Sequence, residues 1–343
     1  MFLSRVQYSI LLRVIIMQVL KLSPKYWEQV EGIRLGERPL DYMVLNLPPK
    51  CNYKCKKCFI GSRSVSNPLT LREIENVVVD AKALGARVLV IPGEGEPLLD
   101  RRLKEIVVYA KKNGLETLIP TNGSLLTEEM ANFLAKNGAS LTISLDTLEE
   151  KLYDELTGIR GNFNQVMKNI ETARRIFHSY IRVKGKYCVM PLSIHMTLSE
   201  QNFAEIEMFK TFCADDLFYS VGCIVPVREA EKHPELIKDA SRLEAAARTV
   251  GETFTLTKTA DGRDICAHLW YGLTLSAGGN LMTDAQAIET EVPLNIRNHS
   301  CGELLEISKK YKQILLERFC DGYCVIRAPR YKEFVAFLKT EFL

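Results

Sequence analysis

The sequence predicts an α/β protein: an open, partial (β/α)6 barrel followed by a small α+β unit. Three observations carry that expectation. From residue 41 to about residue 224, short apolar runs alternate with amphipathic segments, the signature of βα units around a parallel sheet. Glycines stand where the intervening helices should stop. Beyond about residue 250 the alternation is lost, and short strand-like, turn-rich pieces replace it. Three units are therefore expected: an N-terminal helical extension over 1–40, the partial barrel over 41–250 and a C-terminal unit over 251–343.

Residues 1–20 are apolar but broken by Arg5 and Arg13. The unbroken run 14–20 contains Gln18 and is too short to span a bilayer, and no small-residue cleavage site follows, so an amphipathic helix is expected there. The first barrel strand covers 42–47 and stops at Pro48-Pro49. Thr70 and Glu73 form a capping box, after which Ile74, Val77, Val78, Ala81 and Leu84 recur at helical spacing until Gly85. The unit then repeats as strand 88–91, helix 102–112, strand 117–120, helix 128–136 and strand 141–145, with Gly114 and Gly138 closing the helices. Helix 163–178, an irregular basic segment, strand 192–198, helix 202–212 and strand 217–224 complete six strands. Right-handed crossovers wind such strands into a partial barrel whose working face lies at their carboxyl ends.

The charge balance is even, 45 basic against 42 acidic residues, a net charge of +3 spread along all 343 positions. No basic face with interleaved aromatics is found, so a nucleic-acid partner is not expected. With no membrane span or export signal in view, the ten cysteines are expected to be reduced, cytoplasmic and available to metals.

Cys51, Cys55 and Cys58 place three thiols within eight residues, directly after the first barrel strand. Thiolates suit zinc and iron-sulfur clusters, and closed structural sites take four protein ligands. A local set of three leaves one metal position open for chemistry. Glycines of Gly93-Glu94-Gly95-Glu96-Pro97 follow the second strand, Thr121-Asn122-Gly123 the third, and Ser144-Leu145-Asp146 ends the fourth. Each motif alone is ordinary loop chemistry; four in order at the ends of successive strands are not.

This arrangement resembles the radical S-adenosylmethionine (radical SAM) superfamily, whose fold is a partial TIM-like barrel. The resemblance implies that Cys51, Cys55 and Cys58 hold a 4Fe-4S cluster whose fourth iron binds S-adenosylmethionine. Glu94, Gly95 and Glu96 match the family's GGE-type motif, with Glu96 as acceptor for the cofactor's ammonium group; Asn122 lies in the following turn, and Ser144 and Asp146 match its S-x-D at the ribose hydroxyls. It further implies an electron donor such as flavodoxin or ferredoxin, and a 5'-deoxyadenosyl radical that abstracts hydrogen from a substrate. One departure stands out: the family usually carries an aromatic before the third cysteine, where this chain has Lys57.

A second metal site is expected in the C-terminal unit, where Cys266, Cys301, Cys320 and Cys324 lie and Cys320 and Cys324 have cluster-like spacing. The run from Cys266 through Gly279 to Asp284 resembles the SPASM/twitch extension, which carries an auxiliary 4Fe-4S cluster. Its fourth ligand is either Asp284 or Cys301, and the preference of such clusters for sulfur tilts the expectation slightly to Cys301. Buried cysteine without metal, or zinc, is the alternative. Of the remaining thiols, Cys223 at the end of the sixth strand is the candidate to return a hydrogen atom to a substrate radical, although packing is the commoner use of such a residue.

An auxiliary cluster favours net oxidation of the substrate. Epimerisation with Cys223 as donor is the second reading, and a non-catalytic zinc-binding interaction protein the third. No D-x-H-x-x-G loop of a cobalamin-dependent methylase is present. Forty residues ahead of the barrel are few for a leader-peptide-binding domain, so a small molecule or carbohydrate is expected ahead of a peptide.

Overall fold

The computed structural model describes residues 20–23, 31–32, 37–61, 63–214, 216–250, 256–258, 264–266, 270–283, 290–319 and 330–341. The helix expected over residues 1–20 lies almost wholly outside these. What is described of the N-terminal region includes a short strand, β1 (Leu20–Leu22).

The barrel strands are β2 (Tyr42–Leu45), β3 (Val88–Val90), β4 (Glu116–Thr121) and β5 (Ala139–Ser144). After a hairpin of β6 (Arg182–Lys184) and β7 (Tyr187–Val189) come β8 (Leu192–Leu198) and β9 (Phe218–Cys223). All six barrel strands run parallel in the order β2-β3-β4-β5-β8-β9. The segment read as irregular is the β6–β7 hairpin, which β1 joins by pairing parallel to β7. Its strands are three residues long, too short for a period-2 pattern to register.

The helices are α1 (Leu71–Ala83), α2 (Leu103–Lys112), α3 (Glu128–Lys136), α4 (Glu150–Thr157), α5 (Phe163–His178), α6 (Ile206–Cys213) and α7 (Ala240–Val250). Thr70 caps α1 with the reciprocal Glu73 box that its sequence announces. The buried faces of α1, α2, α3, α5 and α6 share one core with Met43, Leu45, Leu89, Ile119, Ile143, Ile194 and Val221. These strand residues have one parity, so the helices cover one side of the sheet, as in a barrel wall. The opposite parity carries Thr142, Ser144, His195, Thr197 and Ser220, all half-buried.

The chain returns to this sheet after residue 270. β12 (Gly272–Leu275) pairs parallel to β2, and β13 (Asn280–Met282) and β14 (Glu291–Asn295) continue antiparallel beyond it. The two preceding strands, β10 (Leu256–Lys258) and β11 (Asp264–Cys266), form a separate pair. The three strands after residue 270 thus extend the barrel sheet to nine among the described residues. Helix α8 (Cys301–Arg318) enters the same core, and the buried Lys312 donates to the Gly272 carbonyl at 2.6 Å. A last helix, α9 (Tyr331–Glu341), packs Phe334 against Phe319. Among the described residues, no helix is long and apolar enough to cross a membrane.

Candidate active site at the carboxyl ends of the strands

The cysteine loop leaves β2 and is braced on three sides. Lys54 and Lys56 donate their backbone N–H groups to the carbonyls of Thr157 and Leu156 at the end of α4, at 3.0 and 2.9 Å. Gly158 ends α4 with φ +69°, and a Cβ there would stand 2.7 Å from the Lys54 carbonyl, so glycine is what lets the two loops touch. The Tyr53 hydroxyl bonds that of Tyr153 at 2.8 Å and accepts from Asn162. On another side Asn52 accepts from the Asn122 amide and donates to Ser124. The Thr-Asn-Gly turn therefore meets the cysteine loop directly.

The third brace is the Glu94-Gly95-Glu96 turn. Glu94 and Glu96 donate their N–H groups to the carbonyls of Leu47 and Lys50, at 3.0 and 2.7 Å. A Cβ on Gly95 would lie 2.0 Å from the Lys50 carbonyl oxygen. Its missing side chain thus makes room for the backbone just ahead of Cys51. Glu96 is buried and already accepts from the Thr121 hydroxyl and from the N–H groups of Asn122 and Leu98. Its first duty is to tie the second and third strand loops together. Burial raises its pKa, against the hydrogen bonds it accepts. Glu94 is turned differently: it accepts from Ala277 N–H and pairs with Arg63, which joins the turn to the C-terminal strands.

The three thiols feel one another. Cys55 is raised to about 12, chiefly by burial, with Lys57 opposing and Asp146, Cys58 and Cys51 adding to the rise. Cys51 is raised by burial, opposed by an N–H from Tyr53, while Glu96 and Cys58 raise it further. Tyr53 N–H and Gly61 N–H point at the sulfurs of Cys51 and Cys58, at 3.4 and 3.3 Å. Backbone N–H groups aimed at sulfur favour thiolate and tune a cluster. Among the described residues no three His, Cys, Asp or Glu side chains close tightly enough on a single ion. A cubane instead spreads its thiolates over several corners, and a mutually interacting trio with N–H···S contacts fits that group.

Asp146, at the end of β5, receives the ammonium of Lys57 at 2.5 Å and the N–H of Thr197 at 2.9 Å. Lys57 also reaches the Thr197 hydroxyl at 2.7 Å. This pairing escapes a linear reading because the partners lie 89 and 140 residues from Lys57. Ser144 pairs in register with His195, whose Nδ1 stands 2.9 Å from the Ser220 hydroxyl. Neither His195 nor Ser220 belongs to a sequence motif; only the strand parity brings them beside Ser144.

Cys223 shares the parity of Tyr219 and Val221 and lies in the helix-packed core. That placement matches packing and lends no support to a hydrogen-donor role. Cys301 opens α8, is fully buried, and stands beside Asp80 of α1, with burial the main cause that lifts its thiol to about 12. The backbone of Cys266 ends β11. Asp284, Cys320 and Cys324 lie outside the described residues.

Residues 45–198 match the family model described as the Radical SAM superfamily. Among curated proteins, the chain is 25% identical over 229 residues to an Fe-coproporphyrin III synthase of Methanosarcina barkeri, covering 64% of this chain and 56% of that one. It is 30% identical to an AdoMet-dependent heme synthase of the same organism, over 54% of this chain and 51% of the relative. A probable GTP 3',8-cyclase of Thermococcus kodakarensis is 32% identical, over 59% and 61%. The chain thus spans little more than half the length of these relatives. In fold it is similar to Streptococcus suis SuiB bound to S-adenosylmethionine, with TM-score 0.61, 18% identity and coverage of 84% of this chain and 75% of that one. It is likewise similar to anSMEcpe with bound AdoMet, with TM-score 0.56, 15% identity and coverage of 88% and 95%. The cysteine loop and the turns that brace it fall within the segment, residues 45–198, that matches the Radical SAM superfamily model.

Proposed function

We propose that this chain is a radical SAM enzyme in which Cys51, Cys55 and Cys58 hold a 4Fe-4S cluster and S-adenosylmethionine docks at the iron they leave open. The observation that carries the reading is convergence: the three-cysteine loop, the Glu94–Glu96 turn, Asn122 and Asp146 meet at one end of the parallel sheet. When bound and reduced by a donor such as flavodoxin or ferredoxin, the cluster and its cofactor supply the power to remove hydrogen from an unactivated carbon. The protein's share is placement. The braces from Thr157, Tyr153 and Asn122 fix the loop, and Ser144 and Asp146 offer hydroxyl and carboxylate to a nucleoside.

The substrate is proposed to lie against the helix-free face of β5, β8 and β9. Thr142, Ser144, His195 and Ser220 line that face and suit a polar small molecule. The synthases and cyclases among the relatives act on small molecules by their names, which agrees with this class. A peptide is the second class, favoured by the likeness to SuiB, which is known bound to its precursor peptide SuiA.

Net oxidation assisted by an auxiliary cluster is part of the same proposal, with Cys266, Cys320 and Cys324 as thiolate ligands. The burial of Cys301 against Asp80 supports Asp284 as the fourth ligand rather than Cys301. The core placement of Cys223 weighs against epimerisation through that thiol. The test is anaerobic reconstitution followed by reduction with S-adenosylmethionine present. Brown protein that releases 5'-deoxyadenosine supports the enzyme; a colourless zinc protein that releases none refutes it.

A further inference from the structure

Lys57 is where this cysteine loop departs from the family pattern, and the structure gives it a fixed place. Its ammonium sits between Asp146 Oδ1 at 2.5 Å and Thr197 Oγ1 at 2.7 Å. Both partners are themselves held: Asp146 Oδ1 accepts Thr197 N–H, and the buried Asn202 amide donates to the carbonyls of Asp146 and Thr197 at 2.8 and 3.0 Å. The Lys57 and Asp146 side chains are only 17% and 8% exposed, so water screens this charge poorly.

A pinned ammonium one residue from Cys58 and two from Cys55 in the chain has a direct electrostatic consequence. Reduction adds one electron to a cluster already bearing thiolate charge. A nearby cation stabilises the more negative, reduced form, whereas the aromatic usual at this position brings no such charge. Asp146 works in the opposite sense. Asp146 is present whichever residue stands at position 57, so the comparison is set by the charge that the lysine itself brings.

We propose that Lys57, held by Asp146 and Thr197, is a charge-tuning residue that makes the iron-sulfur centre easier to reduce than an apolar residue there would. The inference rests on the cluster reading of Cys51, Cys55 and Cys58. The electron comes from an external one-electron donor, dithionite in the assay, and no bond in the protein is made or broken.

The test is a dithionite titration of the reconstituted full chain, followed by electron paramagnetic resonance, with iron and sulfide measured on the same samples. Lys57→Met should shift the midpoint to more negative potential, and Lys57→Arg should stay near wild type. Asp146→Asn should shift it the other way, because the ammonium loses its counter-charge. Opposite shifts separate electrostatics from loop damage, which moves both variants alike. Unchanged midpoints in cluster-loaded Lys57→Met, or shifts of one sign in Lys57→Met and Asp146→Asn, overturn the inference. A wild-type chain that takes up no iron-sulfur centre overturns the functional reading, and the inference with it.

Discussion

Arg63 lies with its Nε 2.5 Å from the buried carboxylate of Glu94, while its Nη1 reaches Glu291 at 2.8 Å. The first contact is close but poorly aligned as a hydrogen bond, and it is an ion pair. Glu291 is also bonded to Ser276 and Asn280. One guanidinium therefore joins the loop after the third cysteine, the Glu94–Glu96 turn and the C-terminal strands.

Removing that cation leaves a carboxylate in the core. Arg63→Met is expected to destabilise the fold by about 3 kcal/mol at pH 7, measured by urea unfolding. Burial already raises the Glu94 pKa, so its folded form holds a proton more firmly than the unfolded chain does. Stability from that proton is present below the ordinary carboxylate range and lost as pH rises. The gap between variant and wild type should therefore narrow as pH falls toward 4.5, the ordinary glutamate value. A gap independent of pH would place the loss elsewhere.

Glu73 predicts the opposite slope. It caps α1 and takes the Arg297 guanidinium at 2.5 Å, and that bond leads the causes that lower its pKa to about 2. Its stabilisation is present above pH 4.5 and lost as pH falls toward 2. The pair lies partly exposed at the surface, so with the capping contribution Glu73→Gln should cost about 1 kcal/mol at pH 7. Thermal unfolding of both proteins from pH 7 to pH 2 should show the difference vanish.

Gly95→Ala should be far more damaging than Gly138→Ala. The first pushes a Cβ to 2.0 Å from the Lys50 carbonyl, so the backbone leading to Cys51 must move. A cost of about 3 kcal/mol and loss of bound iron are expected. Gly138 has φ +73° and nothing within 4 Å of the added carbon, so only backbone strain of about 1 kcal/mol is expected, with iron retained. Iron analysis and urea unfolding of both variants decide it; equal iron loss would contradict the bracing role given to Gly95.

Cys301→Ala separates core cysteine from cluster ligand. As a buried side chain between α8 and α1 it should cost about 1 kcal/mol and leave the iron content unchanged. A fall of about four iron atoms per chain would instead make Cys301 the auxiliary ligand.

The barrel was legible because most of its helices and strands carry their own local period and caps. Helix 163–178 and the Thr70–Glu73 box stand where periodicity and capping put them. The same logic fails where partners are distant. Gly272–Leu275 is a four-residue strand buried on both faces, and its neighbour Tyr42–Leu45 lies some 230 residues earlier, so no local pattern announces that the C-terminal strands extend the barrel sheet. At the site, spacing identified the three cysteines and the order of the motifs. It could not say that Glu94 faces Arg63 and Ala277, that Gly95 yields its space to Lys50, or that Lys57 answers Asp146. Those relations arise from loops converging in space, as does the pairing of His195 with Ser220.

In the proposed site, one iron of the N-terminal cluster is left for the cofactor. Electron-nuclear double resonance on the reduced protein, with S-adenosylmethionine carrying nitrogen-15 in its amino group, measures this directly. A nitrogen-15 coupling to the cluster, absent from a Cys55→Ala variant, is the expected result. A cluster signal with no such coupling at saturating cofactor would mean that the protein closes the site itself, and the account would be wrong.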